Sequence, residues 1–437
     1  MKASKLKRKK QKVNQHYSDF NRHSGKRSAS RIVVNNNDSG QAGMTLNHVL
    51  IFLFILLLPT QLGKHFFFDF SYLSGIRVDY LAPTIYVTDI LAALLLLINF
   101  KSFWHFLKQK KILILLSLLF FNILISQSPP VSIYRFLKII ELIGIFFIFR
   151  QARLSGKLLI LGFLSGGVFE LSLSVAQFID RHSLQGLFYF FGERPLSLSL
   201  PGIAKASLSG VEILRPYGTF SHPNSLAGFY LLVYFFVLTR TRLISTDSNR
   251  FQLILTALLL VSSLLIFLSF SKIAIITFLL LNFIYLGKSQ LKKTCRLCLI
   301  SRLLVLTIVS LVFLQATTDP LTLERRVQFI ENALQIIVKY PLFGVGLGNY
   351  LLAQQQFPER FADLLNQPVH NIYLLLLSEV GIVITVVLGF IFRQKFKSAF
   401  KNSAYIFLVV ILTGSFDHYW LTLQQNFLLI GVILGAL

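Results

Sequence analysis

Twelve apolar runs, each long enough to approach the thickness of a bilayer, are what most constrains this chain. They fall at about 46–63, 84–100, 112–127, 133–149, 157–179, 223–239, 251–269, 272–287, 299–316, 371–392, 402–416 and 420–437. A membrane-spanning helix needs about 20 consecutive apolar residues. In hydrocarbon every backbone polar group must be satisfied inside the segment, which leaves helices as the way to use such runs. The expected fold class is therefore all-α: a polytopic transmembrane helix bundle of about 12 spans. Composition agrees, with 54% of the 437 residues hydrophobic and only 14% charged. Soluble domains carry about 25% charge, so a water-soluble fold is excluded.

Charge distribution sets the expected orientation. The chain holds 43 Lys and Arg against 18 Asp and Glu, a net charge of +25. With the N-terminus placed in the cytoplasm and the spans alternating, thirty of those 43 cations fall in the tail and in the loops on its side. The same segments hold only Asp19, Asp38 and Asp247. This is the positive-inside pattern, so the basic character reads as topology rather than as nucleic-acid binding. Both termini are expected in the cytoplasm. Residues 1–44, with seven lysines and arginines between Lys2 and Lys12, are expected to be a disordered basic tail beside anionic lipid. Residues 45–437 form the membrane domain. The first apolar run has no small-residue cleavage site after it, unlike a secretory signal.

The opposite face carries three long loops, at about 64–83, 180–222 and 317–370, and long loops of little regular structure are often functional. In the third, Leu323, Val327, Ile330, Leu334 and Ile337 recur at helical spacing between Arg325, Arg326, Glu331 and Lys339. That pattern predicts an amphipathic helix lying at the membrane surface.

The same face collects the residues able to do chemistry. Arg215 opens RPYGTFSHPN, just outside the run at 223; a guanidinium there suits a phosphate, or a lipid headgroup. His222 and Asn224 flank Pro223 in what also reads as a helix-start turn. Lys272 is a lone cation in a very short turn, placed for a cavity or for snorkelling to the surface. His370 and Asn371 start the run at 371; neutral histidine accepts a proton, although a lone helix-start histidine is more often structural. Glu379 is an intramembrane carboxylate, read also as half of a buried polar pair. Asp417 and His418 sit between the last two runs, to orient His370 or a cation, or simply solvated. Cations and histidines from separate loops meeting on one face suit an anionic, membrane-held substrate such as a lipid diphosphate. No Gly-rich phosphate loop ends in Lys-Ser/Thr, so ATP use is unsupported. No His-x-x-His or Glu-rich cluster argues for a metal, and Cys295 with Cys298 lacks two further ligands for zinc. No cofactor and no metal are expected.

Four stretches in order resemble the O-antigen ligase/polymerase superfamily of bacterial membrane glycosyltransferases: RPYGTFSHPNSLAGFYL at 215–231, LSFSK at 268–272, ERRVQFIENALQIIVKYPLFGVGLGNY at 324–350 and HNIYLLLLSEVGI at 370–382. A weaker likeness runs through FDHYWLT at 416–422, so the motif-bearing core is about 210–392. The resemblance implies metal-independent, inverting glycosyl transfer from an undecaprenyl-diphosphate-linked glycan to a lipid- or protein-linked acceptor on the outer face of the bacterial cytoplasmic membrane. It makes His370 the base or acceptor-orienting group and Arg215 the grip on the diphosphate, with Lys272, Arg325 and Arg326 as further cations. His222, Asn224, Asn371, Glu379, Asp417 and His418 would support them. The family more often has arginine where Lys272 stands, so the planar fork is lost there. Within the family the alternatives are a polysaccharide polymerase and a protein O-glycosyltransferase. A transporter, with Glu141, Glu170 and Glu379 as relays, is the alternative of another class.

Overall fold

The computed structural model describes residues 46–152, 156–208, 210–240, 249–290, 296–316, 321–357 and 367–437. The basic tail at 1–44 and Cys295 lie outside them. The described chain is mostly helical, and each of the twelve apolar runs contains a helix. In chain order these are α1 (Leu46–Leu57), α2 (Val87–Ile98), α3 (Phe100–Leu107), α4 (Lys110–Leu124), α5 (Pro129–Gln151), α6 (Gly156–Asp180), α7 (Pro223–Arg240), α8 (Asn249–Leu268), α9 (Lys272–Gln290), α10 (Arg296–Leu314), α11 (Leu321–Lys339), α12 (Tyr350–Gln354), α13 (Ile372–Gly414), α14 (Tyr419–Thr422) and α15 (Gln424–Ala436). By length and composition three described segments can cross a bilayer unaided: Gly156–Asp180, Arg250–Leu268 and Ile372–Gln394. A fourth is possible if α2 and α3, bent by 91° at Asn99, count together. Helices α1, α2 and α15 are shorter than the runs that predict them. Apolar residues continue past the point where a turn or kink stops the helix, as at Pro59 after α1.

Local chemistry sets the ends. Pro129 and Pro223 sit in first turns, where the missing N–H costs nothing. Asn371 caps α13, its Oδ1 accepting from Tyr373 N at 2.9 Å and Leu374 N at 3.0 Å. The main core gathers fully buried side chains from α1, α6, α7, α8, α9 and α15, among them Phe54, Phe163, Phe229 and Phe278.

The all-α expectation needs one correction. The loops hold three small antiparallel strand pairs: β1 (Gly63–His65) with β4 (Thr84–Tyr86), β2 (Tyr72–Leu73) with β3 (Ile76–Arg77), and β5 (Lys205–Leu208) with β6 (Val211–Leu214). Each is too short to show as an alternating pattern in the sequence.

The amphipathic helix forms as α11, with its predicted apolar stripe facing outward. Val327, Ile330 and Leu334 are exposed, while Phe329, Ala333 and Ile336 pack inward with Gln328 and Asn332. The glycine-rich turn after α11 locks into α13. That helix is interrupted at Gly381, whose φ is 70°. Ile382 N and Val383 N, freed by the break, donate to Pro341 O at 2.9 Å and Leu342 O at 3.0 Å. Gly344 has φ 66°, and a Cβ on it would stand 2.5 Å from Glu379 backbone atoms. Neither position accepts a side chain, because φ is left-handed and a backbone is in the way. This explains two glycines of the 324–350 and 370–382 motifs.

Candidate active site

β6 ends at Leu214 and delivers Arg215 into the interior. Its Nε donates to Ser269 O at 2.9 Å and its Nη2 to Asn224 Oδ1 at 2.7 Å. Ser269 lies in the break between α8 and α9. There Phe270 adopts φ 52°, unusual for a bulky residue and a conformation that persists at sites where the surroundings enforce it. Five N–H groups are available on a guanidinium. Two are used, so three have no protein partner among the described residues. Burial lowers the Arg215 pKa to about 10, against the opposing pull of Tyr217 and Asp417, so it is charged at neutral pH.

Asn224, in the first turn of α7, carries the connection onward. Its Nδ2 donates to Asp417 Oδ2 at 2.9 Å, and Asp417 Oδ1 accepts from His418 N at 2.8 Å. The ring of His418 lies 5.1 Å from that of His370 in an edge-on arrangement and 5.5 Å from Tyr80. Its Nδ1 is 2.7 Å from Thr422 Oγ1. His370 packs 5.3 Å from Phe329 of α11, and its Nδ1 is buried with no hydrogen-bond partner among the described residues. One ligand atom each from His370, Asp417 and His418 lie within 4.8 Å of one another.

The electrostatics follow from burial around one carboxylate. Burial would raise the Asp417 pKa, but His370, His418, His222 and the Asn224 hydrogen bond outweigh it and hold it at about 2. Burial pushes His418 down to about 3 against the attraction of Asp417. His222 is likewise lowered to about 3 by burial and then by Arg215; its Nδ1 accepts from Asn224 N at 3.1 Å. His370 is lowered by burial, with Asp417 opposing and Arg326 assisting. At neutral pH the site therefore holds neutral imidazoles around an ionised Asp417.

Of the residues singled out in the sequence, Arg215, His222, Asn224, His370, Asp417 and His418 come together here. Arg326 acts electrostatically on Arg215, His370 and His418 from α11, and Arg325 is its neighbour on that helix. Asn371 does not face the site: its amide is spent on the α13 cap and on Ser415 O at 3.0 Å. The Glu379 carbonyl accepts from Gly346 N at 2.9 Å and from Asn122 Nδ2 at 3.2 Å, which holds the glycine turn. Lys272 is exposed at the start of α9, and no hydrogen bond or ion pair among the described residues joins it to the cluster. Glu141 pairs with Lys138 at 3.4 Å, and Glu170 accepts from Thr219 N at 2.9 Å, so both carboxylates are engaged within the protein.

Two further groups border the site without having been singled out. Arg135, on α5, donates to Tyr80 O at 3.3 Å and contributes to the lowering of His418. A lone arginine near the start of an apolar run is the signal that marks it. Tyr80 carries no signal, because its role comes from its edge-on contact with His418 and from its carbonyl beside Arg135.

Two imidazoles and a carboxylate meet the donor count of a catalytic zinc site. The surrounding charge does not favour a dication, because Arg326 acts on His370 and His418, Arg135 on His418, and Arg215 is coupled to Asp417. The arrangement suits an anion beside a proton acceptor better than it suits a metal.

The family model described as O-Antigen ligase matches residues 256–389. That span includes Lys272, Arg325, Arg326, His370, Asn371 and Glu379, whereas Arg215, Asn224, Asp417 and His418 lie outside it. No curated protein matches the chain. Residues 256–389, with their apolar helices, thus match the O-antigen ligase family, and the match supports membership of that family and a ligase- or polymerase-like role in glycan transfer for cell-surface polysaccharide assembly.

Proposed function

We propose that this protein transfers a glycan from an undecaprenyl-diphosphate-linked donor to an acceptor hydroxyl, with inversion at the sugar carbon and without a metal. It does so at the outer face of the bacterial cytoplasmic membrane, with both termini in the cytoplasm and about twelve spans. The observation that carries this reading is the meeting of Arg215, Asn224, Asp417, His418 and His370 in one cluster. They come from three distant stretches of chain.

His370 takes the proton of the acceptor hydroxyl on a ring nitrogen as the oxygen attacks the anomeric carbon. The bond from that carbon to the diphosphate oxygen breaks, and the electron pair leaves with the lipid diphosphate. Arg215, rigidly held by Ser269 O and Asn224, offers its remaining N–H groups to the leaving oxygens. Asp417 stabilises the imidazolium that forms on His370. Arg326, and Arg325 beside it, extend the positive field toward the second phosphate. Phe329 of α11, packed against His370, keeps donor and acceptor aligned. Lys272, at the rim, supplies general attraction rather than bidentate contact.

The test is transfer from a purified lipid-diphosphate glycan by the protein in vesicles. His370→Ala and Arg215→Ala should each abolish turnover while the protein still inserts and folds. Full activity in His370→Ala removes the mechanism. Solute flux without glycan turnover supports the transporter instead.

A further inference from the structure

The loop between α6 and the β5–β6 hairpin contains LQGLFYFFG at 184–192. Gly186–Phe191 within it forms a short 3-10 helix with no buried residue. Leu187 is 76% exposed and Phe190 72% exposed, with Tyr189 and Phe191 beside them also exposed. Contiguous large apolar side chains on a surface mark a contact with something apolar.

The loop is held firmly at its base. The buried Glu193 carboxylate accepts from Leu184 N at 2.9 Å and Gln185 N at 2.6 Å, and Gln177 Nε2 donates to it at 2.9 Å. Ser183 and Leu196 close the neck by N–H to carbonyl at 3.0 Å. A fixed base with an apolar tip is a built feature.

The other side of the tip shows what covers it. The rings of Phe188 and Phe191 pack at 6.5 Å and 5.8 Å from Phe169 of α6. Helix α6 is one of the described segments long and apolar enough to cross a bilayer. Phe169 is eleven residues before its end, about 16 Å at 1.5 Å per residue. The tip thus folds back along the span rather than away from it. Val168, Val175 and Ile179 of α6 are exposed as well, so the apolar surface of the loop continues that of the helix.

We propose that residues 186–191 form a wedge embedded among the acyl chains of the leaflet at the C-terminal end of α6. The wedge is mechanically tied to the candidate site. Gln177, which holds Glu193, also accepts from Tyr217 N at 3.0 Å and Gly218 N at 2.9 Å, directly after Arg215. Resting on the glycan-transfer reading, this linkage sets the depth at which Arg215 meets the diphosphate of a lipid donor.

Spin labels measure the depth without any glycan, so the outcome is separate from that of the transfer assays. With Cys295 and Cys298 replaced by serine, single cysteines are placed by Leu187→Cys, Phe190→Cys and, as a water-exposed reference on the hairpin, Glu212→Cys. The protein is reconstituted in phosphatidylcholine–phosphatidylglycerol vesicles and relaxation is measured with oxygen and with a water-soluble nickel chelate. Positions 187 and 190 are expected to show an oxygen-to-nickel accessibility ratio several-fold above that at 212. A ratio equal to that at 212 places the tip in water and overturns the wedge. Low accessibility to both reagents means that protein covers the tip, which overturns it equally.

Discussion

Asp417→Asn tests the site most sharply. The substitution removes the only negative charge in the described cluster, whose ligand atoms lie within 4.8 Å of those of His370 and His418. At that separation and an effective dielectric of about 20, a carboxylate and an imidazolium attract by roughly 3 kcal/mol. If the proton moves to His370 in the transition state, losing the attraction slows turnover by about two orders of magnitude. The single variant also has a structural fault. Asp417 accepts from both Asn224 Nδ2 and His418 N, and one side-chain amide cannot do both. Asn224 cannot turn over, because its Oδ1 is accepting from Arg215. The double variant Asn224→Asp, Asp417→Asn repairs this: the carboxylate introduced at position 224 accepts from Arg215 and from the new amide. Hydrogen bonding is kept and the charge moves away from the histidines. Initial rates of transfer from a lipid-diphosphate glycan, measured against pH, separate the two effects. The double variant should fold like the parent yet stay about a hundredfold slow. Its acid limb should also move. Burial holds the parent His370 pKa below the ordinary histidine value. Asp417 raises that pKa, so its loss carries the limb to still lower pH. A double variant within a few-fold of parental turnover, or an acid limb shifted upward, refutes the role given to Asp417.

Three further outcomes follow from the same geometry. Arg215→Lys keeps the charge but cannot make both hydrogen bonds, to Ser269 O and Asn224. Charge-assisted bonds are worth about 1.5–3 kcal/mol each, so turnover should fall at least tenfold in the same assay. Gly381→Ala should destabilise the protein by roughly 1–2 kcal/mol from its left-handed φ alone, and by more from the clash with Leu342 O; thermal unfolding in detergent reads this as a lowered Tm. Treatment with a metal chelator should leave transfer unchanged, and activity lost to the chelator and restored by zinc would make His370, Asp417 and His418 a metal site.

The helices were legible because their cause is local. An apolar run commits the backbone to a helix wherever lipid or core surrounds it, and Asn371 or Pro223 marks an end by chemistry confined to one turn. The motif residues Arg215, His370, Asp417 and His418 could be picked out because charged and titratable groups are rare beside such runs. Their grouping is a tertiary fact. Asn224 could be flagged as a neighbour of Arg215, but its place between Arg215 and Asp417 depends on bringing α7 against the α13–α15 connection, 193 residues away. The same holds for Ser269 O, aimed by the strained Phe270, and for Tyr80 against His418. It explains too why Lys272 and Asn371, so close in sequence to site residues, turn elsewhere. On α11 the spacing revealed an apolar stripe but not which of two faces would be buried, since that depends on what Phe329 meets. Periodicity and charge are properties of a segment and survive any packing; a constellation is set by long-range contacts, which a linear pattern does not encode.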